Sequence, residues 1–443
     1  MNDFSKGSVK KCIISQAIPL TLAQIVQLLY NMVDRIYIGH LPEIGDLALS
    51  GLGITFPIIV LIAAFTGLFG NGAVTLFSIM RGNKQEEEAE RILGNAFVLL
   101  VLASVCLFCV CYLFRKPILY LFGASDASYG FADRYLQIYL LGTAFSMLST
   151  GLNGFINAQG FPRVGMVTTM IGAVLNIILD PIFIFGLDMG VKGAAWATII
   201  SQAVSAVWVL RFLTGPKAVL RLRKKCFALE TARVKEMVSL GIPAFVMQGS
   251  NCLVQAVCNK SLQSYGGDLY VGIMTVINSV REVVTLPVIG ISNGAQPVLG
   301  FNYGAKENAR VKEGIRFMTA IGGGYTVLAW LLVMLIPRFI FRIFTDDEMM
   351  IAEGARMLNI YFFGFFFMSF QFAGQSTFQA LGKRNNAIFF SLLRKVIIVV
   401  PLTLLLPVLG LGVNGVFWAE PVSNAVGGLA CFVVMWQTVY RRL

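Results

Sequence analysis

Apolar runs of roughly 20 residues recur along nearly the whole chain. About twelve are present, near 13–38, 50–80, 93–114, 131–156, 164–186, 193–213, 237–264, 271–299, 315–337, 355–381, 387–408 and 413–440. As a helix, a run of that length matches the hydrocarbon core of a bilayer, where every backbone donor and acceptor must be satisfied within the segment. The expected fold is therefore an all-α integral membrane protein. Composition agrees: of 443 residues, 57% are hydrophobic and 13% charged, about half the charged share of a soluble domain. The opening stretch, MNDFSKGSVKKCIISQAIPL, is basic and then apolar but has no small-residue cleavage site. It reads as the start of the first span rather than a signal peptide.

The net charge of +12 would point to nucleic acid in a soluble protein, but here the basic residues flank apolar runs. With both termini cytoplasmic, the inner segments hold about 21 of the 35 Lys and Arg, LRLRKKCF among them. Cys106, Cys109 and Cys111 lie in ASVCLFCVCYLF without charged or histidine partners, and read as apolar residues rather than metal ligands.

The chain repeats itself. GNGAVTLFSIMRGNK at 70–84 aligns with SNGAQPVLGFNYGAK at 292–306, an offset of 222 residues that also joins IYLLG (138–142) to IYFFG (360–364) and GVKGAAW (190–196) to GVNGVFW (412–418). Pro19 with Gln24 is echoed by Pro243 with Gln248. Six spans per copy give both copies the same orientation. The expected architecture is two pseudo-symmetric six-helix bundles around a central cavity, a plan suited to alternating access. The expected domains are 1–213, a cytoplasmic linker 214–236, and 237–443.

Within the fifth span, LNIILDPIFIFG places an aspartate among apolar residues. At 1.5 Å per residue, Asp180 sits ~12 Å below the outer end of its span and Asp34 ~8 Å below the end of the first. Thr198 of the sixth span lies at a comparable depth. Asn176 shares a helical face with Asp180, and Tyr30 with Asp34. Two carboxylates, an amide and hydroxyls thus reach one level of the outer half. Pro181 removes a helical donor and favours a bend, as Pro19 does in the first span. An acid within a span is costly and marks function. Away from water and without a cation partner, it is suited to carrying a proton. In the second half, Arg281, Glu282, Arg394, Lys395 and Glu420 lie within or near spans. Glu282 reads either as the partner of Arg394 and Lys395 or as a substrate contact.

NMVDRIYIGHL, GFINAQGFPRVGM, LNIILDP and QPVLGFNYGAK resemble the MATE multidrug antiporters, most nearly their MepA-like branch, and the resemblance covers nearly the whole chain. It implies two six-helix lobes and export of organic cations in exchange for protons or sodium ions, with no cofactor. Matched motif to motif, the family's cation site falls on Asp34, Asn176, Asp180 and Thr198, its helix-bending proline on Pro19, and a cavity asparagine on Asn153. Any sodium would bind at Asp34, Asn176 and Asp180. Some members carry acids in the seventh and tenth spans; here the seventh offers Gln255 and Cys258, and the tenth has none. The expected partners are small organic cations and the bilayer, for a monomer in the cell membrane.

Two other readings fit less well. GISNG at 290–294 fits a hydrolase elbow, G-x-S-x-G, but ends an apolar span where a strand-to-helix turn would be needed, and the only histidine, His40, follows the first span. A flippase for a lipid-linked saccharide precursor shares the two-lobed plan, but such proteins line their cavities with cations to hold phosphate.

Overall fold

The computed structural model describes residues 3–39, 45–122, 124 and 126–443; His40 lies outside them. Among these residues every regular element is helical. Eleven helices are long and apolar enough to cross a membrane. The twelfth expected span, 131–156, is made of two 16-residue helices that meet at Gly142, so neither crosses alone.

The first unit is built from α1 (Val9–Gly39), α2 (Gly45–Thr66), α3 (Gly72–Gly82) and α4 (Glu86–Leu113), followed by the short α5 (Arg115–Leu121). It continues through α6 (Asp126–Leu141), α7 (Thr143–Ala158), α8 (Pro162–Pro181) and α9 (Val191–Thr214). Next comes α10 (Thr231–Gly304), two spans joined at Gly267, whose φ of 67° breaks the helix. The rest is α11 (Asn308–Leu335), the short α12 (Pro337–Arg342), α13 (Glu348–Phe362), α14 (Met368–Ala380), α15 (Arg384–Leu392), α16 (Val400–Leu406) and α17 (Val413–Met435).

The repeat seen in the sequence recurs in the backbone at the same offset. Lys84 and Lys306 have φ of 61° and 60°, Gly160 and Gly382 of 89° and 69°, and Gly190 and Gly412 both of 52°. Short helices α5 and α12 also fall at equivalent places, although the sequence reading did not anticipate them. Gly142 and Gly364 are equivalent interruptions. At Gly142 a Cβ would come within 2.6 Å of Ile199.

The chain packs into two compact units: residues up to Lys6 with Ile18–Phe245, and Gly7–Ala17 with Val246–Leu443. The loop-based boundaries at 213 and 237 differ from this division. The segment 214–236 and the start of the seventh span pack in the first unit, and the first turns of α1 in the second. Both crossovers lie beside a proline, Pro19 or Pro243. Glycine explains the close packing. A Cβ on Gly72 would overlap the Met237 carbonyl, and one on Gly294 would come 2.7 Å from the Ala17 amide. Between helices in lipid, small residues substitute for the missing hydrophobic drive by letting backbones approach.

Phe77 and Phe155, with ring centroids 5.1 Å apart, are fully buried in the first unit's core, and Phe341, Phe362 and Phe417 in the second's. Large apolar side chains also cover the outside, such as Leu102, Leu113, Leu335 and Leu409. That outer coat is what lipid solvates.

The basic segment is fastened to the N-terminal part of α4. Buried Asn95 donates to the carbonyls of Cys226 and Ala228 at 3.0 and 2.8 Å, while Arg233 holds Glu88 at 2.5 Å and donates to Asn95 Oδ1 at 3.3 Å. Asn95→Ala leaves these groups unpaired and is expected to cost about 2–3 kcal/mol. The readout is faster tryptic cleavage at Lys224 and Lys225 together with a lower melting temperature in detergent. Unchanged cleavage would mean that the clasp does not hold the segment.

Candidate functional site

The site begins where α8 ends. Pro181 has no amide hydrogen, so the Ile177 carbonyl loses its usual donor, and the chain passes directly into a π-helical turn, Ile182–Gly186. It then reverses at Gly190 into α9. The two arms come close because Gly193 faces the backbone of Phe183, where a Cβ would lie 2.6 Å from the carbonyl carbon. That approach brings the C-terminal end of α8 against the first turns of α9.

Asn176 and Asp180 are one turn apart on α8, and Thr198 faces them from α9. The Asn176 amide donates to Asp180 Oδ1 at 3.2 Å and to Thr198 Oγ1 at 3.3 Å, and the Thr198 hydroxyl donates to the Ala194 carbonyl at 3.0 Å. Asp180 is completely buried, Asn176 and Thr198 nearly so. From α1, the half-buried Asp34 brings its carboxyl beside that of Asp180. Tyr30, one turn earlier, reaches Thr198 with its hydroxyl and lies beside both acids. The four polar residues that depth placed on one level therefore converge, with Tyr30 among them.

Two oxygens of the group, Asp180 Oδ2 and Asn176 Oδ1, are buried without a donor among the described residues. Among the described residues no lysine or arginine pairs with Asp180; the side chain of Arg35 lies outside them. An ionised carboxylate only accepts hydrogen bonds. Two carboxyl groups side by side and away from water are therefore suited to sharing a proton or another cation.

Sequence reasoning missed two members. Tyr135 and Tyr139 of α6 close the cluster, and the Tyr135 hydroxyl also reaches Thr198. Tyr139 lies in the repeated IYLLG, a signal that was visible but read only as symmetry.

Three expected residues lie away from this cluster. Asn153 on α7 donates to the Gly165 carbonyl at 3.1 Å. Gly165 precedes Asp180 by fifteen residues, ~22 Å along α8, so Asn153 clasps two helices away from the acid pair. Pro19 sits inside α1 beside the crossover between units, not at the acids. Glu282 is exposed, and the carboxylate that pairs with Arg394 and Lys395 is Glu420, at 3.3 Å from each. Similar depth put Glu282 beside those cations; the rotation of α10 about its axis turns it away. Ser292 of GISNG is buried within α10, two residues before the glycine that admits Ala17.

The profile of the family described as MatE matches residues 19–182 and 243–405, once in each copy of the repeat. The chain belongs to the MatE family. Among its relatives is the multidrug export protein MepA of Staphylococcus aureus (strain MRSA252), 24% identical over 433 residues that cover 98% of this chain and 95% of MepA. The MATE multidrug transporter DinF-BH, solved as a complex, is 34% identical, with a TM-score of 0.90 over 96% of this chain and 95% of that one. An outward-facing multidrug resistance MATE family transporter of the MOP superfamily has a TM-score of 0.92 at 21% identity, covering 99% and 98% of the two chains, and shares the fold. This MatE chain is thus a multi-pass membrane protein with eleven apolar spans among the described residues and a twelfth divided into two short helices at Gly142.

Proposed function

We propose that the chain is a secondary multidrug exporter, releasing bulky organic cations from the cell in exchange for protons that enter through Asp34 and Asp180. The observation that carries this reading is the buried Asp180 beside Asp34, hydrogen-bonded to Asn176, which also holds Thr198, and without a basic partner among the described residues. Such a pair takes up and releases protons as a unit, and a group that changes charge within a span is what exchange requires. The oxygens gathered there also suit a sodium ion, which is the other candidate for the coupling ion. The names of MepA and of DinF-BH support multidrug export. The 35 Phe and 17 Met suit flat cations of varied shape. In this reading the protein works in the cell membrane as a monomer, with both termini cytoplasmic.

Cells expressing the protein are expected to accumulate several-fold less ethidium and to tolerate more quaternary ammonium biocide. If ethidium accumulation is unchanged while a lipid-precursor translocation assay responds, the protein is a flippase instead. In proteoliposomes, a pH gradient imposed alone is expected to drive ethidium transport. Transport driven by a sodium gradient at equal pH on both sides would assign the coupling to sodium.

A further inference from the structure

The second unit holds a buried charge cluster that the export mechanism above does not use. Glu420 on α17 faces Arg394 Nη1 at 3.3 Å, Lys395 Nζ at 3.3 Å and Arg281 Nη1 at 3.8 Å. One carboxylate therefore faces three cations. Lys395 and Glu420 are each 5% exposed, and no second acid joins the contact among the described residues. Arg394 also donates to Asn424 Oδ1 at 2.5 Å, and its carbonyl accepts from Ser423 at 2.8 Å. Gly427 leaves room for the Arg394 side chain, since a Cβ there would come 3.2 Å from it. The arrangement is built rather than incidental.

Its charge is unbalanced. Glu420 can balance only one of the three basic side chains that it faces, in a region where an unpaired ion costs several kcal/mol. Donors are also in excess: an ammonium has three N–H groups and a guanidinium five, and Glu420 has two oxygens to share among all three side chains. Arg281 has the longest contact and keeps 29% of its side chain exposed. The cluster is thus open on the side of its least engaged cation.

The repeat gives the cluster a counterpart. In the aligned GVKGAAWAT and GVNGVFWAE, Thr198 corresponds to Glu420. Tyr139 of the acidic site corresponds to Tyr361, which lies beside Arg281. The second unit therefore places a cationic cluster where the first holds its acids, with the sign of charge reversed.

We infer that Arg281, Arg394 and Lys395 form a binding site for a monovalent anionic group of the carboxylate type. The anion supplies the charge that Glu420 alone does not, and Arg281 admits it. It is either a carboxylate borne by an exported compound, which would make zwitterionic or anionic molecules part of the cargo, or a small free anion. The first source rests on the export reading; the site itself does not.

The test uses the purified full-length protein in detergent and low-chloride buffer, with fluorescein as an aromatic carboxylate followed by anisotropy and ethidium measured in parallel. The wild type is expected to bind fluorescein. Arg281→Gln should weaken that binding about tenfold, roughly the worth of one charge-assisted hydrogen bond, and leave ethidium binding unchanged. Glu420→Gln, which removes the competing resident carboxylate, should tighten it several-fold, a change opposite in sign to what loss of a merely structural ion pair would produce. Displacement of fluorescein by benzoate but not by chloride identifies an organic carboxylate as the occupant; displacement by chloride identifies a small free anion. Fluorescein binding that responds to both variants while ethidium fails to bind would overturn cation export and keep the site. Absence of fluorescein binding to the wild type, or equal binding by all three proteins, would overturn the site.

Discussion

Asp180→Asn is expected to insert and fold normally while losing at least tenfold of pH-driven ethidium export, and Asp34→Asn to do the same. The amide keeps the size of the carboxyl and an oxygen for the Asn176 donor, so the helix pair stays intact. What it loses is the capacity to take up and release a proton. The remaining acid is left with a neutral partner and no second carboxyl with which to share a proton. The measurement is dye efflux from proteoliposomes under an imposed pH gradient, with the melting temperature in detergent as the check on folding. Normal export by both variants would refute the mechanism and leave the pair as structural.

Gly241→Leu is expected to have the largest effect on stability. A Cβ at Gly241 would overlap the carbonyl of Leu68, and the opposing Gly72 faces the Met237 carbonyl and the Gly241 backbone. Both obstacles are main chain, so no side chain can rotate aside. Overpacking there should cost about 3 kcal/mol or more and remove the monodisperse species after solubilisation. Gly249→Ala, at a helical position with open space around it, is the matched control and should be neutral or slightly stabilising. Equal yields of the two variants would show that the seventh span does not depend on this approach.

Sequence alone determined the spans, their two-fold repetition and the level at which polar groups stand. Length against bilayer thickness sets the first, and an offset of 222 residues reappears in the φ values of Lys84 and Lys306 and of Gly160 and Gly382. Asp34, Asn176, Asp180 and Thr198 were legible because rise per residue converts position into depth, and because acids and amides are rare in lipid. The tertiary structure decided which groups at a given depth face one another. Each residue turns a helix by ~100° about its axis, and where lipid and protein interior are both apolar, hydrophobic pattern does not fix that rotation. So Glu282 is exposed and Glu420 takes the three cations. Tyr135 and Tyr139 join the acids for the same reason. The close approaches at Gly72, Gly193 and Gly241 arise only when two backbones meet, and those at Gly72 and Gly241 carry the start of the seventh span into the first unit. No count of apolar residues contains that information, because it is the absence of a side chain, opposite a particular carbonyl, that permits the contact.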